Sequence, residues 1–192
     1  MYLFMDTETG GLTPQHSLLT VSCIVVDEQF NVVRLPTDNP GLYLRIRHDE
    51  YALTAGALAV NKINLVEHND KGVKISDAAT MLLDYVSRAR AVTNKKRLIP
   101  AGHNVNFDVQ FIRANLLTDQ QWNEYFTYPF LDTAAIARFL NSAGVYSGGY
   151  SLAALRSRFL PGMTGDLHNA ETDNLTTIEL AKTFAYMMRM PK

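Results

Sequence analysis

Tyr2-Leu3-Phe4-Met5-Asp6-Thr7-Glu8-Thr9 is the stretch on which the reading of this chain turns. An apolar run, the pattern of a short buried strand, leads into two carboxylates spaced i, i+2. Side chains alternate along a strand with period two, so Asp6 and Glu8 point to the same face. Two acids delivered to one buried spot are costly unless a cation sits between them. The pair is therefore a candidate platform for a divalent metal, and Gly10-Gly11-Leu12 is the turn that leaves it.

Around this strand the hydrophobic periodicity predicts a mixed sheet with helices on its faces. Leu18 to Asp27 and Asn31 to Leu35 read as a hairpin, Thr37 to Gly41 as a turn cluster, and Leu42 to Arg47 as a half-exposed strand. From Thr54 to Val60 the pattern becomes helical. Ser76 is placed to cap a helix that turns Ala79, Leu82, Leu83 and Val86 inward. Leu98 to Ala101 reads as a strand, followed by a helix from Asn106 to Leu117 with Phe107, Phe111 and Ile112 as core. Asp132 or Thr133 caps a helix reaching Asn141, and two more helices run from Ser151 to Phe159 and from Ala170 to Met188. Strands first, then strands alternating with helices, is the order of an α/β sheet covered on both faces.

Composition narrows the class. The 192 residues, 47% apolar and 19% charged, suit a single globular domain over residues 1–192. A net charge of −1 provides no global basic field for long nucleic acid, so an anionic ligand needs metal or local donors. The single cysteine, Cys23, rules out an internal disulfide and reads as a small core residue. No stretch approaches the ~20 apolar residues of a membrane span. Asp6 and Glu8 stand where a cleaved leader would remove them, so a cytoplasmic protein is expected, with no tail for a partner beyond Pro191-Lys192. Lys95-Lys96-Arg97 reads as a solubility turn at the edge of the sheet far from Asp6, with duplex tracking as the lesser alternative. The aromatics from Trp122 to Phe130 read as core, as a subunit contact, or as a base-stacking patch.

Two further segments carry chemistry-capable side chains: Gly102-His103-Asn104-Val105-Asn106-Phe107-Asp108, directly after a strand, and His168-Asn169-Ala170-Glu171-Thr172-Asp173, opening the last helix. Taken singly, an acid at a helix start is a common partner of the helix dipole. Taken together, Asp6-x-Glu8, Asn104-x-x-Phe107-Asp108 and His168-x-Ala170-x-x-Asp173 resemble the three motifs of the DEDD superfamily of 3′–5′ exonucleases, in order and across residues 6 to 173. The histidine marks the branch of proofreading subunits, ribonuclease T and oligoribonuclease. In the sister branch a tyrosine stands four residues before the last aspartate, where this chain has Asn169.

The resemblance implies a ribonuclease H-like α/β fold with a five-stranded mixed sheet, and hydrolysis of phosphodiesters from a nucleic-acid 3′ end. Two Mg²⁺ or Mn²⁺ ions about 3.5–4 Å apart would activate water and stabilise the leaving oxygen. Such hard cations take oxygen ligands, which suits Asp and Glu. By resemblance, Asp6 bridges both ions, Glu8 and Asp173 complete the one that holds the attacking water, and Asp108 holds the other. His168 takes the proton of that water, a role that imidazole suits near neutral pH. Backbone around Thr7 and Thr9 approaches the terminal nucleotide, and Leu12 packs on its base. His103 and Asn104 are candidate substrate contacts, though a structural histidine and a loop-fixing asparagine are the plainer readings. Single-stranded DNA ends are the expected substrate, with RNA trimming or oligoribonuclease activity as the alternative. The rival from another class is a non-catalytic binding module, which has no physical reason to keep four mutually repelling carboxylates.

Overall fold

The strand β1 (Tyr2–Thr9) stays apolar until Asp6, and its Leu3, Phe4 and Met5 are fully buried, which places it inside the sheet. The computed structural model describes residues 1–36, 40–165 and 167–189. On one side β1 pairs antiparallel with β2 (Leu18–Val26), and β2 pairs antiparallel with β3 (Gly41–Arg47). On the other side β1 pairs parallel with β5 (Ile99–Gly102). Two-residue strands close the edges, β4 (Val73–Lys74) beside β3 and β6 (Leu131–Asp132) beside β5. The order is β4-β3-β2-β1-β5-β6, an α/β, ribonuclease H-like sheet with helices on both faces. β2 is buried along its whole length because both faces are covered.

Eight helices are described: α1 (Ala55–Asn61), α2 (Leu65–Lys71), α3 (Ile75–Thr93), α4 (Asn106–Asn115), α5 (Asp119–Tyr125), α6 (Thr133–Ser142), α7 (Leu152–Phe159) and α8 (Ala170–Arg189). Alternation along β1 sorts them. Leu3 and Met5 pack in one core with Leu82 and Val86 of α3, Phe111 and Ile112 of α4, Trp122 of α5, and Phe126 just beyond it. Phe4 faces the other way, against Ile24, Ala101, and Ile178 and Ala181 of α8. Asp6 and Glu8 share the parity of Phe4 and so lie on the α8 side. Among the described residues no helix is long and apolar enough to cross a membrane.

The structure corrects several expectations. The sheet has six strands rather than five. Asn31 to Leu35 forms no strand. The Asp27 carboxylate instead accepts the backbone N–H groups of Gln29 and Asn31, folding the turn locally, and one bridge joins Val32 to Val26. The edge of β2 is taken by β3, pairing Thr20 to Ile24 with Gly41 to Arg45. Ser76 is not a cap, because β4 runs straight into α3 and the helix begins at Ile75 with no side-chain cap. The helices α2 and α5 lie in stretches that the sequence reading left without helix. α5 opens with a capping box of Thr118 and Gln121. Of the expected turn cluster, residues 37–39 lie outside the described residues, as do residues 190–192 at the chain end.

Asn174 of α8 fixes the helix to the sheet. It is fully buried, and its Nδ2 donates to the Phe4 carbonyl and to the Ser22 hydroxyl, both at 3.1 Å. Replacing it by alanine strips a donor from two buried acceptors, a loss of about 1–3 kcal/mol. For Asn174→Ala, the thermal midpoint should fall by roughly 2–4 °C per kcal/mol lost in a chain of this size. An unchanged midpoint would show that β1 and α8 are held by apolar contact alone.

Candidate active site

Three elements bring acids to one end of β1. The strand supplies Asp6 and Glu8, cross-strand from Ser22 and Thr20 of β2. α8 supplies Asp173 from its first turn, and Asn169 holds that turn by accepting the N–H groups of Glu171 and Thr172 on its side chain. Asp6, Glu8 and Asp173 each place one carboxylate oxygen within 4.8 Å of the others. The backbone N–H of His168 donates to Asp173 Oδ2 at 2.9 Å. Asp173 Oδ1 is buried and has no hydrogen-bond partner among the described residues.

Asp108 arrives from the opposite face. It sits in the first turn of α4, which packs on the Leu3 and Met5 side, and it is almost wholly buried. The Thr7 hydroxyl donates to its Oδ1 at 2.7 Å across the strand end. This role of the Thr7 side chain was missed in the sequence, where only its backbone was considered, and no local signal carries it.

Electrostatics makes the cluster unfavourable on its own. Burial pushes the Asp6 carboxyl well above the usual range, and Asp108, Asp173 and Glu8 add to the rise. Glu8 is pushed up to about 7, first by burial and then by Asp173 and Asp108. Asp108 is raised to about 7 by burial, even though the Thr7 hydrogen bond opposes the shift. Burial also raises Asp173, with the His168 N–H working against it. The all-oxygen donor set and the unpartnered buried oxygen of Asp173 fit a hard divalent cation.

Thr7, Thr9, Leu12 and His168 line a cleft beside the acids. Its apolar half, about 430 Å³, is walled by Thr7, Thr9, Leu12, Val60 and Phe107, with Leu12 largely exposed on its rim. Its polar half, about 200 Å³, is walled by His168, Thr20, Tyr43, Arg45 and Lys62. Glu8 and Asn61 belong to both halves. His168 is exposed at φ 66 on the loop before α8. Asn61, another residue the sequence reading passed over, is buried and donates to the Thr9 carbonyl at 3.2 Å. Backbone bonds tie the turn that carries Gly11 and Leu12 to the start of α1: Gly10 N–H to Ser17, Ser17 N–H to Ala52, and Thr54 N–H back to Gly10. A β-carbon at Gly10 would collide with the Ala52 carbonyl oxygen.

His103 and Asn104 do not line either half of this cleft. The His103 ring is bonded to the Thr133 hydroxyl at 3.0 Å, and burial lowers its pKa. Asn104 takes a left-handed conformation, φ 61, and its N–H donates to Asp132, which also caps α6. Trp122 and Phe126 stack in the core, whereas Tyr128 is almost fully exposed.

The raised Glu8 pKa sets a pH dependence. The folded state keeps a proton that the unfolded chain has released, so folding stability without metal declines as pH rises from 4.5 to about 7. Glu8→Gln removes this penalty. At one unit per 1.36 kcal/mol, the variant should gain on the order of 3 kcal/mol over the parent at about pH 8 in chelator, and nearly nothing at about pH 4. Denaturant unfolding of both proteins across that range checks this; a pH-independent difference would mean that Glu8 is not desolvated.

The chain is similar to solved structures of exonuclease I. One, described as suggesting how processivity is achieved, superposes with a TM-score of 0.73 at 20% identity, covering 97% of this chain and 43% of that one. E. coli exonuclease I in complex with a dT13 oligonucleotide gives 0.72 at 21%, covering 94% and 40%. A zinc-bound E. coli exonuclease I complex with single-stranded DNA gives 0.69 at 20%, covering 97% and 42%. This chain thus spans less than half the length of these proteins, and at such identity the likeness is one of fold. No curated protein matches the sequence. The sequence profile of the exonuclease family, named for ribonuclease T, matches residues 3–181, and the chain belongs to that family.

Proposed function

We propose that the chain is a metal-dependent 3′–5′ exonuclease acting on single-stranded ends, with DNA favoured, and releasing nucleoside 5′-monophosphates. The observation that carries this is the acid cluster: three carboxylates within 4.8 Å, a fourth tethered by Thr7, and an unpartnered buried oxygen on Asp173. Membership of the exonuclease family supports it, as do neighbours captured with single-stranded oligonucleotides.

In this reading Asp6, Glu8, Asp108 and Asp173 hold two Mg²⁺ or Mn²⁺ ions. When bound, the ions supply positive charge against the developing charge of the scissile phosphate. Leu12 and Phe107 pack on the terminal base in the apolar half of the cleft, and Thr7 and Thr9 bound the same half. His168 stands in the wall shared with Glu8 and takes the proton of the attacking water. Water adds to phosphorus, and the 3′ oxygen of the preceding nucleotide leaves in line. The bond from the His168 N–H to Asp173 ties the backbone that carries the imidazole to the cluster. His103 and Asn104 position the loop before α4 through Thr133 and Asp132.

A gel time course on 5′-labelled DNA and RNA, single-stranded and duplex, with Mg²⁺ or chelator, tests the reading. A ladder shortening from the 3′ end is expected, strongest on single-stranded DNA and absent for Asp6→Ala. No ladder on any strand would favour a binding module. Mg²⁺ or Mn²⁺ should raise the thermal midpoint by mass action. His168→Ala should lower kcat about 10²–10⁴-fold while keeping that rise; losing the rise would make His168 a metal ligand.

A further inference from the structure

The face of the sheet that carries the acids continues past them. Strand register pairs Asp6 with Ser22 and Ser22 with Tyr43, and pairs Glu8 with Thr20 and Thr20 with Arg45. Cross-strand partners share a face. Two short hydroxyl side chains therefore separate the acids from Tyr43 and Arg45, and the polar half of the cleft opens above them. With strands about 4.8 Å apart, the Arg45 backbone stands roughly 10 Å from that of Glu8, within the reach of a guanidinium to a ligand between them.

Arg45 is half-buried, and its guanidinium lies 5.7 Å from the centroid of the Tyr43 ring, which limits its freedom. A second cation, Lys62, is brought to the same cavity by the left-handed turn that ends α1, φ 55. Among the described residues neither cation forms an ion pair. Two acids share that wall: Glu67, which also feels the Arg45 charge, is held by Lys71 at 2.6 Å, and Glu8 belongs to the acid cluster. A guanidinium braced by an aromatic ring and bonded to no carboxylate presents its donor fork to an anion, and phosphate matches that fork. The cavity, about 200 Å³, meets the larger apolar one at Glu8 and Asn61. A nucleotide has the same division into an apolar base and an anionic phosphate.

We propose that Arg45 and Lys62 form a phosphate-binding subsite in the polar half of the cleft, for the nucleotide whose base occupies the apolar half. The subsite rests on the exonuclease reading. The phosphate it holds belongs either to the bound strand or to the released monophosphate, and in the second case the subsite governs product release.

Calorimetric titration with dTMP and with thymidine, in Mg²⁺, tests it without turnover. The wild-type protein should bind dTMP more tightly than thymidine. Arg45→Met combined with Lys62→Gln should shrink that ratio roughly tenfold or more. Leu12→Ala should weaken both ligands alike and keep the ratio. Arg45→Lys should restore part of it, which separates lost charge from lost folding. A ratio unchanged in the double variant overturns the subsite. Kinetics on a single-stranded oligonucleotide separates the two sources. A raised KM at unchanged kcat assigns the strand phosphate, and a raised inhibition constant for dTMP at unchanged KM assigns the product. Absence of hydrolysis by the wild-type protein would count against the exonuclease reading, while the dTMP ratio would still judge the subsite.

Discussion

Four desolvated carboxylates converge where β1 runs out, and their mutual repulsion is the constraint around which the surrounding structure is arranged. Each would gain by moving into water. Leu3, Phe4 and Met5 prevent this on the strand side, since fully burying such side chains contributes about 1.5–3 kcal/mol apiece. The Asn174 amide prevents it on the helix side by fastening α8 to two neighbouring strands. Thr7 holds the Asp108 carboxylate by one oxygen. The cluster is thus pre-formed against its own electrostatics, as suits a site whose ligand brings the missing positive charge.

The end of a strand is the one place where such a cluster can draw on both faces of a sheet. Asp6 and Glu8 belong to the α8 face, while Asp108 is carried by a helix on the other. Along the middle of β1, backbone would separate them. At the end, Thr7 spans the gap because its side chain points to the α4 face while its neighbours point to α8. The single residue between the two acids therefore links a third acid to them. The cleft grows from the same geometry, with an apolar wall from α1 and α4 and a polar wall from β3 and the loop before α8.

Much of this was legible in the sequence where the signal was local. β1 announces itself by an apolar run ending in acids, α8 by its length, and Asp132 by its place before an apolar helix. The acids were legible as a set because three spaced motifs carry them. What escaped depends on tertiary pairing. Asn31 to Leu35 has strand composition, yet the edge it needed is occupied by β3. The strands β4 and β6 are too short for any period to show, and α5 was masked by aromatics that read equally as core or surface. The link of Thr7 to Asp108 and the anchor at Asn174 each join residues about a hundred or more positions apart. Nothing within a window of sequence marks such partners.

The ring of backbone hydrogen bonds at Gly10, Ser17, Ala52 and Thr54 is doubled by two hydroxyls of the same residues, Ser17 accepting the Ala52 N–H and Thr54 donating to the Gly10 carbonyl. The spacing between the Leu12 turn and the start of α1 is therefore set by main-chain atoms and these two hydroxyls, and the lining of the slot by Leu12, Val60 and Phe107, which take no part in those bonds. The two properties are inherited separately. Substitution among the lining residues can reshape the wall of the slot while its frame stays, whereas any side chain at Gly10 meets the Ala52 carbonyl and disturbs the frame itself.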